Sequence, residues 1–454
     1  MDLTGSPIPV AIGQQKLSSE AAARCLHSGH SRTDDSCAWP LHHQPPYISQ
    51  GTNAEVMIHA SGITLIRPSA RLLPAAPRKE YFVTARCSIV SSIDRIKGQK
   101  PAIFGRYTKS DNAKGLTQAL TTFASLALFW SVAVLGIGVS RWLTAAAMLL
   151  ITLFNVRVFA LMHECGHGSL FRSPWLNRAI GFLLGVVSGM PQYVWSQHHS
   201  YHHAHNGNWE KYRGPYTTPS IGEYEAMTDA QRRMYRLKCN IAVAPLVGFI
   251  YLIFNPRFTW AKGSIGLVIH MVRKKAAQPN VSMKNHAATY ETHYWESPKE
   301  YWHMFWNNVV LLTLWVLMCW AVGTTLFFTT YLISLSIAGG AGIILFTVQH
   351  NFEHAYASDS KRWDYTTGAI KGTCFLVLPR WLNWLTVDMG YHHIHHLSAK
   401  IPNYCLAKCH DEYQHLFTDV TRLKLSQFHN ALKCILWDTR AQRIISVSEY
   451  QKQI

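Results

Sequence analysis

Residues 142–171 read WLTAAAMLLITLFNVRVFALMHECGHGSLF, an apolar run that passes without interruption into two histidines four positions apart. As far as Met162 the run is long enough to cross a bilayer core, which takes about 20 helical residues. If the helix continues, His163 and His167 share one face and their imidazoles can point at one metal ion. Taken alone, the pair reads equally well as surface or packing histidines. The rest of the chain has to decide.

The 454 residues are 48% hydrophobic and only 15% charged, too apolar for an ordinary soluble protein of this length. A second spanning run covers 116–139, and the apolar block 308–348 is long enough for two more, turning near Thr329 and Thr330. Two shorter stretches, 178–195 with Gly181, Gly185, Gly189 and Pro191, and 240–255 with Pro245 and Gly248, are broken by helix-disfavouring residues. Both are expected to be interfacial or re-entrant. The expected fold is an all-α membrane protein: about four transmembrane helices in two hairpins, with a cytoplasmic helical cap carrying the histidine-rich segments.

Residues 1–98, rich in Ser, Pro and Ala, show no helical or strand period and are expected to be a weakly ordered extension. The membrane domain is expected to run from 99 to 416, followed by a cytoplasmic helical tail over 417–454. No cleavable signal peptide is visible in the first 35 residues. The ten cysteines include no C-x-x-C pair and read as reduced thiols.

The net charge of +18 is uneven. Arg86, Arg95, Lys97, Lys100, Arg106, Lys109 and Lys114 precede the first span, whereas the turn after it offers only Arg141. The positive-inside rule then places the N-terminal side in the cytoplasm and the first hairpin turn outside. Membrane orientation accounts for the charge, and no nucleic-acid partner is expected.

Three further segments carry histidines. In WSQHHSYHHAHNGNWE, 195–210, His199, His202 and His203 make an H-x-x-H-H set, and VDMGYHHIHHLSAKIPNY, 387–404, repeats it with His392, His395 and His396. His199 and His202 are expected on one helical face, with His203 turned about 100° away toward a neighbouring ion. His198, His205 and His393 read as bystanders. In FTVQHNFEHAYA, 346–357, His350 ends the last apolar run as a further ligand, while His354, one helical turn on, and Glu353 are candidates for orienting a neighbouring imidazole. Asp388 is a candidate for the same task beside the third set. Arg157 is expected to snorkel from the second span to the headgroups, and Trp295, Trp302, Trp306, Trp381 and Trp384 to form an interfacial belt.

Eight or nine imidazoles exceed what one ion binds and suit two. Ligand type alone leaves zinc, copper, iron and nickel open, while the lack of cysteine at ligand positions argues against an iron–sulfur or structural zinc site. Two redox ions beside a lipid chain suit attack by dioxygen on an unactivated C–H bond. With two crossings before His163 and two more before His350, all four segments meet on the cytoplasmic face.

The sets HECGH, HHSYHH and GYHHIHHLSAKIPNY, with QHNFEHAY between the last two, resemble those of the membrane-bound fatty acid desaturases, nearest the bacterial acyl-lipid type with delta-12 (omega-6) members. The resemblance covers roughly 99–416. It implies two non-heme iron ions, O2 as co-substrate and cis double-bond insertion into a membrane lipid acyl chain. By position, the iron ligands would be His163, His167, His199, His202, His203, His392, His395 and His396, with His350 added. No HPGG heme motif occurs, so electrons would come from a separate carrier, a ferredoxin or a cytochrome b5. The membrane would be the inner one if the source is bacterial. A hydroxylase, epoxygenase or ketolase on the same scaffold, acting on an acyl chain, sterol or carotenoid, fits the same sets. A metal transporter fits less well, because transport sites sit near the midplane on broken helices.

Overall fold

A computed structural model describes residues 91–214, 218–433 and 435–453, which fall in one compact unit. The extension expected over 1–98 lies outside the described residues as far as residue 90. Its last residues are helical: α1, Ser92–Tyr107, is capped by the Ser91 side chain and buries Ile93, Ile96, Ile103 and Tyr107. That apolar stripe packs with Ile394, Leu397 and Leu406, so helix is present several residues before the expected boundary.

Helices α2, Asn112–Ile137, and α3, Arg141–His167, form the first hairpin, capped by Asp111 and Ser140. Its turn is tight: a Cβ on Gly136 would come within 2.7 Å of Thr144 Oγ1. Helix α3 runs unbroken through HECGH and stops at Gly168, whose φ of 65° suits glycine. Arg157 does not snorkel. It is 1% exposed, with Nε donating to Thr122 Oγ1 at 3.1 Å, Nη1 to the Trp384 carbonyl, and the guanidinium 3.9 Å from the Trp384 ring centroid. These two acceptors, the Gln118 Oε1 at 3.5 Å and an aromatic face hold it more firmly than a reach to the surface would.

The stretch 178–195 resolves into α4, Pro174–Ser188, and α5, Gln192–His205. Only Gly189, at φ 76°, and the Met190–Pro191 linker break it, while Gly181 and Gly185 sit inside α4 where Cys165 and Gln192 press close. After the short helices α6, Ile221–Glu225, and α7, Asp229–Lys238, comes α8, Ala244–Phe249. Here the expectation of a short broken segment needs correction. A π turn at Ile250–Phe254 joins α8 directly to α9, Asn255–Ala277, and α10, Met283–Ala288, folds back on α9. Among the described residues, five helical segments are thus long and apolar enough to span a membrane: α2, α3, 241–277, α11, Pro298–Val322, and α12, Thr324–His350. The second hairpin turns at Gly323, φ 85°, and not at Thr329 and Thr330, which lie inside α12.

Segment 241–277 differs from the other four in its course. Ala244 and Gly248 pack on Gly339 and Gly340, ten or so residues short of the α12 end that carries His350, and Gly263 packs on Trp295, just ahead of α11. Ala244 and Gly263 thus both lie in the half of the bundle that holds the histidines. The contact with α12 is glycine on glycine: a Cβ on Gly248 would lie 2.3 Å from the Gly340 nitrogen. Gly248→Leu is therefore expected to cost about 3 kcal/mol or more by overpacking, read as a lowered unfolding midpoint in detergent; an unchanged midpoint would refute this packing.

The remaining elements build a cap: α13, Tyr365–Lys371, strand β1, Cys374–Val377, α14, Arg380–Leu385, α15, His392–Leu397, and α16, Asn403–Tyr413. The expected helical tail over 417–454 is largely not helical. Strand β2, Thr421–Lys424, pairs in parallel with β1; after the one-turn α17, Phe428–Ala431, strands β3, Ile435–Asp438, and β4, Arg443–Ser446, form an antiparallel hairpin, and α18, Val447–Gln453, closes the chain. The runs ILW and RII supply β-branched and aromatic side chains for two largely buried strands.

Candidate metal centre

Two groups of imidazoles form at the cap side of α3 and α12. In the first, His163, His167, His199, His203 and His395 offer ring nitrogens that all lie within 4.8 Å of one another; in the second, His202, His350 and His396 do the same. His392 joins the second group through its Nε2, 2.9 Å from His350 Nε2. All nine histidines singled out in the sequence are therefore gathered in one place, from α3, α5, α12 and α15.

The division between the groups differs from the expected one. On α5, His199 and His203 serve the first group and His202 the second; on α15, His392 and His396 serve the second and His395 the first. In each set the i, i+4 pair, only about 40° apart around the helix, stays together, and the residue between them turns to the other group. The two H-x-x-H-H helices thus exchange one histidine each.

The nitrogens are arranged for cations. His350 Nδ1 lies 3.3 Å from the Gly372 carbonyl, which can only accept, so Nδ1 carries the proton and Nε2 presents a lone pair. His163 Nδ1 faces the Glu164 carboxylate at 3.2 Å, with the same consequence for its Nε2. Yet His163 Nε2 stands 2.9 Å from His199 Nε2, and His203 Nε2 3.0 Å from His199 Nε2. The one proton that a neutral His199 can carry on Nε2 is shared between two facing nitrogens at best, whereas a cation between the three rings satisfies all of them. The spacing matches two ligands about 90° apart on an ion with metal–nitrogen bonds of about 2.1 Å. His167 Nε2 and both ring nitrogens of His202, His395 and His396 are buried with no hydrogen-bond partner among the described residues. Left unpaired, such groups would each cost a desolvation penalty. Burial pushes the His199, His202, His203, His392, His395 and His396 imidazoles well below their ordinary pKa, which keeps them neutral and able to donate to a metal.

Glu164 is the residue the sequence reading passed over. It is fully buried, accepts from His163 Nδ1 through Oε1, and through Oε2 from Ser169 Oγ at 3.0 Å and the Asn403 amide at 3.1 Å. One carboxylate thus fixes a candidate ligand of the first set and the N-terminus of α16, directly after the third. Its position between two histidines on a spanning helix, where an acid is costly, was the available signal.

Other candidates fall elsewhere. Helix α12 ends at His350, so His354 is not one turn further along it; His354 is exposed at φ 68° and meets Arg443. Glu353 is exposed and accepts from Ser446. Asp388, also at positive φ, makes no hydrogen bond to an imidazole; burial pushes its carboxyl up to about 6 against the pull of Arg157. His393 turns away from both groups to His410, with Nε2 accepting from Nδ1–H at 3.1 Å because Arg422 donates to the other His410 nitrogen. His198 and His205 join neither group.

A family model described as "Fatty acid desaturase" matches residues 140–426. A fatty acid desaturase of Bacillus subtilis (strain 168) is 30% identical over 341 residues, covering 75% of this chain and 88% of that protein. A Picosynechococcus protein named sn-1 oleoyl-lipid 12-desaturase is 25% identical over 256 residues, 56% of this chain and 63% of its own length. A chloroplastic omega-3 fatty acid desaturase of Ricinus communis is 25% identical over 269 residues, 55% and 49% respectively. The matched region contains all nine histidines of the two groups and Glu164.

Proposed function

Because the chain belongs to the fatty acid desaturase family and is thus a membrane-associated oxidoreductase acting on fatty acyl substrates, we propose that it inserts a cis double bond into a membrane lipid acyl chain at a di-iron centre. The observation that carries this is the pair of imidazole groups whose facing nitrogens lack any other partner. His163, His167, His199, His203 and His395 hold one iron, and His202, His350, His392 and His396 the other. When bound, the two irons supply the redox chemistry by which dioxygen removes two hydrogens from an unactivated CH2–CH2 unit. The balance is one O2, two electrons and two protons from outside, and two waters formed beside the alkene. The protein's part is to keep nine donors neutral and fixed: Glu164 and the Gly372 carbonyl set the tautomers of His163 and His350, and Tyr365 holds the α15 turn through the His396 carbonyl.

Electrons come from a separate acidic carrier, a ferredoxin or a cytochrome b5, attracted by the basic residues around α1. The topology follows from parity. The histidines end α3 and α12 and must share a face, so an even number of crossings separates them; α11 and α12 cross, and 241–277, with Ala244 and Gly263 in the same half, does not cross. Four crossings result, with the imidazoles cytoplasmic. The domain so formed extends from Ser92 to about residue 416, and the strand-rich end that follows adds to its cap through the β1–β2 pair. Single cysteines placed at Gly138 and Gly323 are expected to react with an impermeant thiol reagent from outside the cell; labelling only after permeabilisation would overturn the orientation.

Lipids from an expressing host decide the reaction. Product chains two mass units lighter than substrate are expected, and a gain of sixteen would replace desaturation by hydroxylation.

A further inference from the structure

From Ala230 to Tyr290 the chain has ten lysines and arginines and no aspartate or glutamate. Most of that charge sits on α7 and α9, the helices that lead into and out of the dip in segment 241–277. Arg233, Arg236 and Lys238 on α7, and Arg273 and Lys274 at the end of α9, are all exposed, and none of them pairs with a carboxylate among the described residues. Each helix also turns apolar side chains outward. Met234 and Leu237 of α7, with Ile241 just beyond it, are 46–53% exposed. Ile265, Val268, Ile269 and Val272 of α9 recur at i, i+3, i+4 and i+7, the spacing of one helical face, and are 46–61% exposed.

The other faces of both helices are occupied. Tyr235 of α7 donates its hydroxyl hydrogen to the Ile435 carbonyl of β3 in the cap, while Gly263 and Gly266 of α9 lie against Trp295 and Tyr290. These contacts also fix the level. The face of α7 opposite its apolar side chains is on the cap, and Trp295, where α9 leaves the bundle, is three positions ahead of α11. On α9 the stripe continues the line of Phe258, seven positions before Ile265, whose half-exposed ring is stacked on Phe254. The outward face of the dip is thus the face that carries Ile265 to Val272 beyond it. An apolar stripe bordered by basic side chains is the composition of a helix lying in a membrane interface, and the leaflet that attracts such charge is an anionic one.

We propose that α7 and the part of α9 beyond Gly263 form a docking surface for an anionic lipid leaflet. Their apolar side chains sink between the headgroups, and Arg233, Arg236, Lys238, Arg273 and Lys274 meet the lipid phosphates. The two helices are the arms of a dip that enters and leaves the same leaflet. Between them Ile253 lies against Gly189, at the turn from α4 into the histidine-bearing α5, so a leaflet that grips both arms holds the dip against that turn. This surface does not depend on the reaction proposed above.

The test uses the full-length protein in nanodiscs of dioleoylphosphatidylcholine, alone or mixed equally with dioleoylphosphatidylglycerol, and reads amide hydrogen exchange. Residues 229–241 and 264–277 are expected to exchange roughly tenfold more slowly in the anionic discs, since each basic residue near such a leaflet is worth about fivefold in binding. High salt is expected to erase the difference by screening. A variant carrying Arg233→Gln, Arg236→Gln, Arg273→Gln and Lys274→Gln, all at exposed positions, is expected to exchange alike in the two lipids. Equal exchange of the natural protein in both discs would overturn the surface and leave its charge to membrane orientation alone. A lipid difference that survives the four substitutions would overturn the part given to these side chains. Protection that arises in neutral discs only when two copies share one would make the same faces a contact between copies, and would overturn the proposal as well.

Discussion

Replacing His395 with alanine is expected to reduce product formation by more than about 100-fold and to lower the bound metal per chain. His395 comes from the cap, yet its ring lies 4.6 Å from that of His163, 4.8 Å from His167 and 4.7 Å from His203. Both its nitrogens are buried without a hydrogen-bond partner among the described residues, with the Glu164 carboxylate 4.0 Å from Nδ1, an arrangement that suits a ligand to a shared ion. Residues that merely orient metal ligands are worth about 10–100-fold, and a ligand should exceed that. His354→Ala is the control, since its exposed side chain meets only Arg443 and it should leave activity within about twofold. Equal effects of the two substitutions, measured as product per enzyme together with iron content, would remove His395 from the centre.

Glu164→Gln should cost about 10–100-fold in product formation with the fold and most of the metal retained. The glutamine has the right volume but the wrong chemistry. Glu164 Oε2 accepts from both Ser169 Oγ and the Asn403 amide, and an NH2 group there would set a donor against the Asn403 donor. Turned the other way, the amide faces His163 Nδ1 and favours the tautomer that withdraws Nε2 from the metal. Either orientation loosens the link between the first and third sets. Full activity in Glu164→Gln would show that α3 and α16 position their residues without the carboxylate.

The nine histidines were legible because their spacing is local. An i, i+4 pair shares a helix face whatever surrounds it, and apolar runs ending at His163 and His350 fixed where two of the faces begin. Candidates that depended on continuing a pattern fared worse. His354 followed from extending α12 by one turn, which Asn351 ends, and the turn at Thr329 and Thr330 from polarity, whereas Gly323 turns the chain because it alone there adopts a positive φ readily. Segment 240–255 looked broken because Pro245 and Gly248 disfavour helix. Pro245 instead occupies the first turn of α8, where a missing amide costs nothing, and Gly248 lets α12 approach.

The sequence by itself determined that this is a helical membrane protein with paired imidazole sets at the ends of its spans, because hydropathy and helical period are properties of neighbouring residues. Only the tertiary structure decided which imidazoles gather into which group. His202 and His395 each cross to the group served by the other helix, Glu164 finds Asn403 some 240 positions away, and Arg157 is sealed between α2, α3 and the Trp384 carbonyl. Those pairings depend on how α3, α5, α12 and α15 pack, and packing is set by the side chains of every element at once.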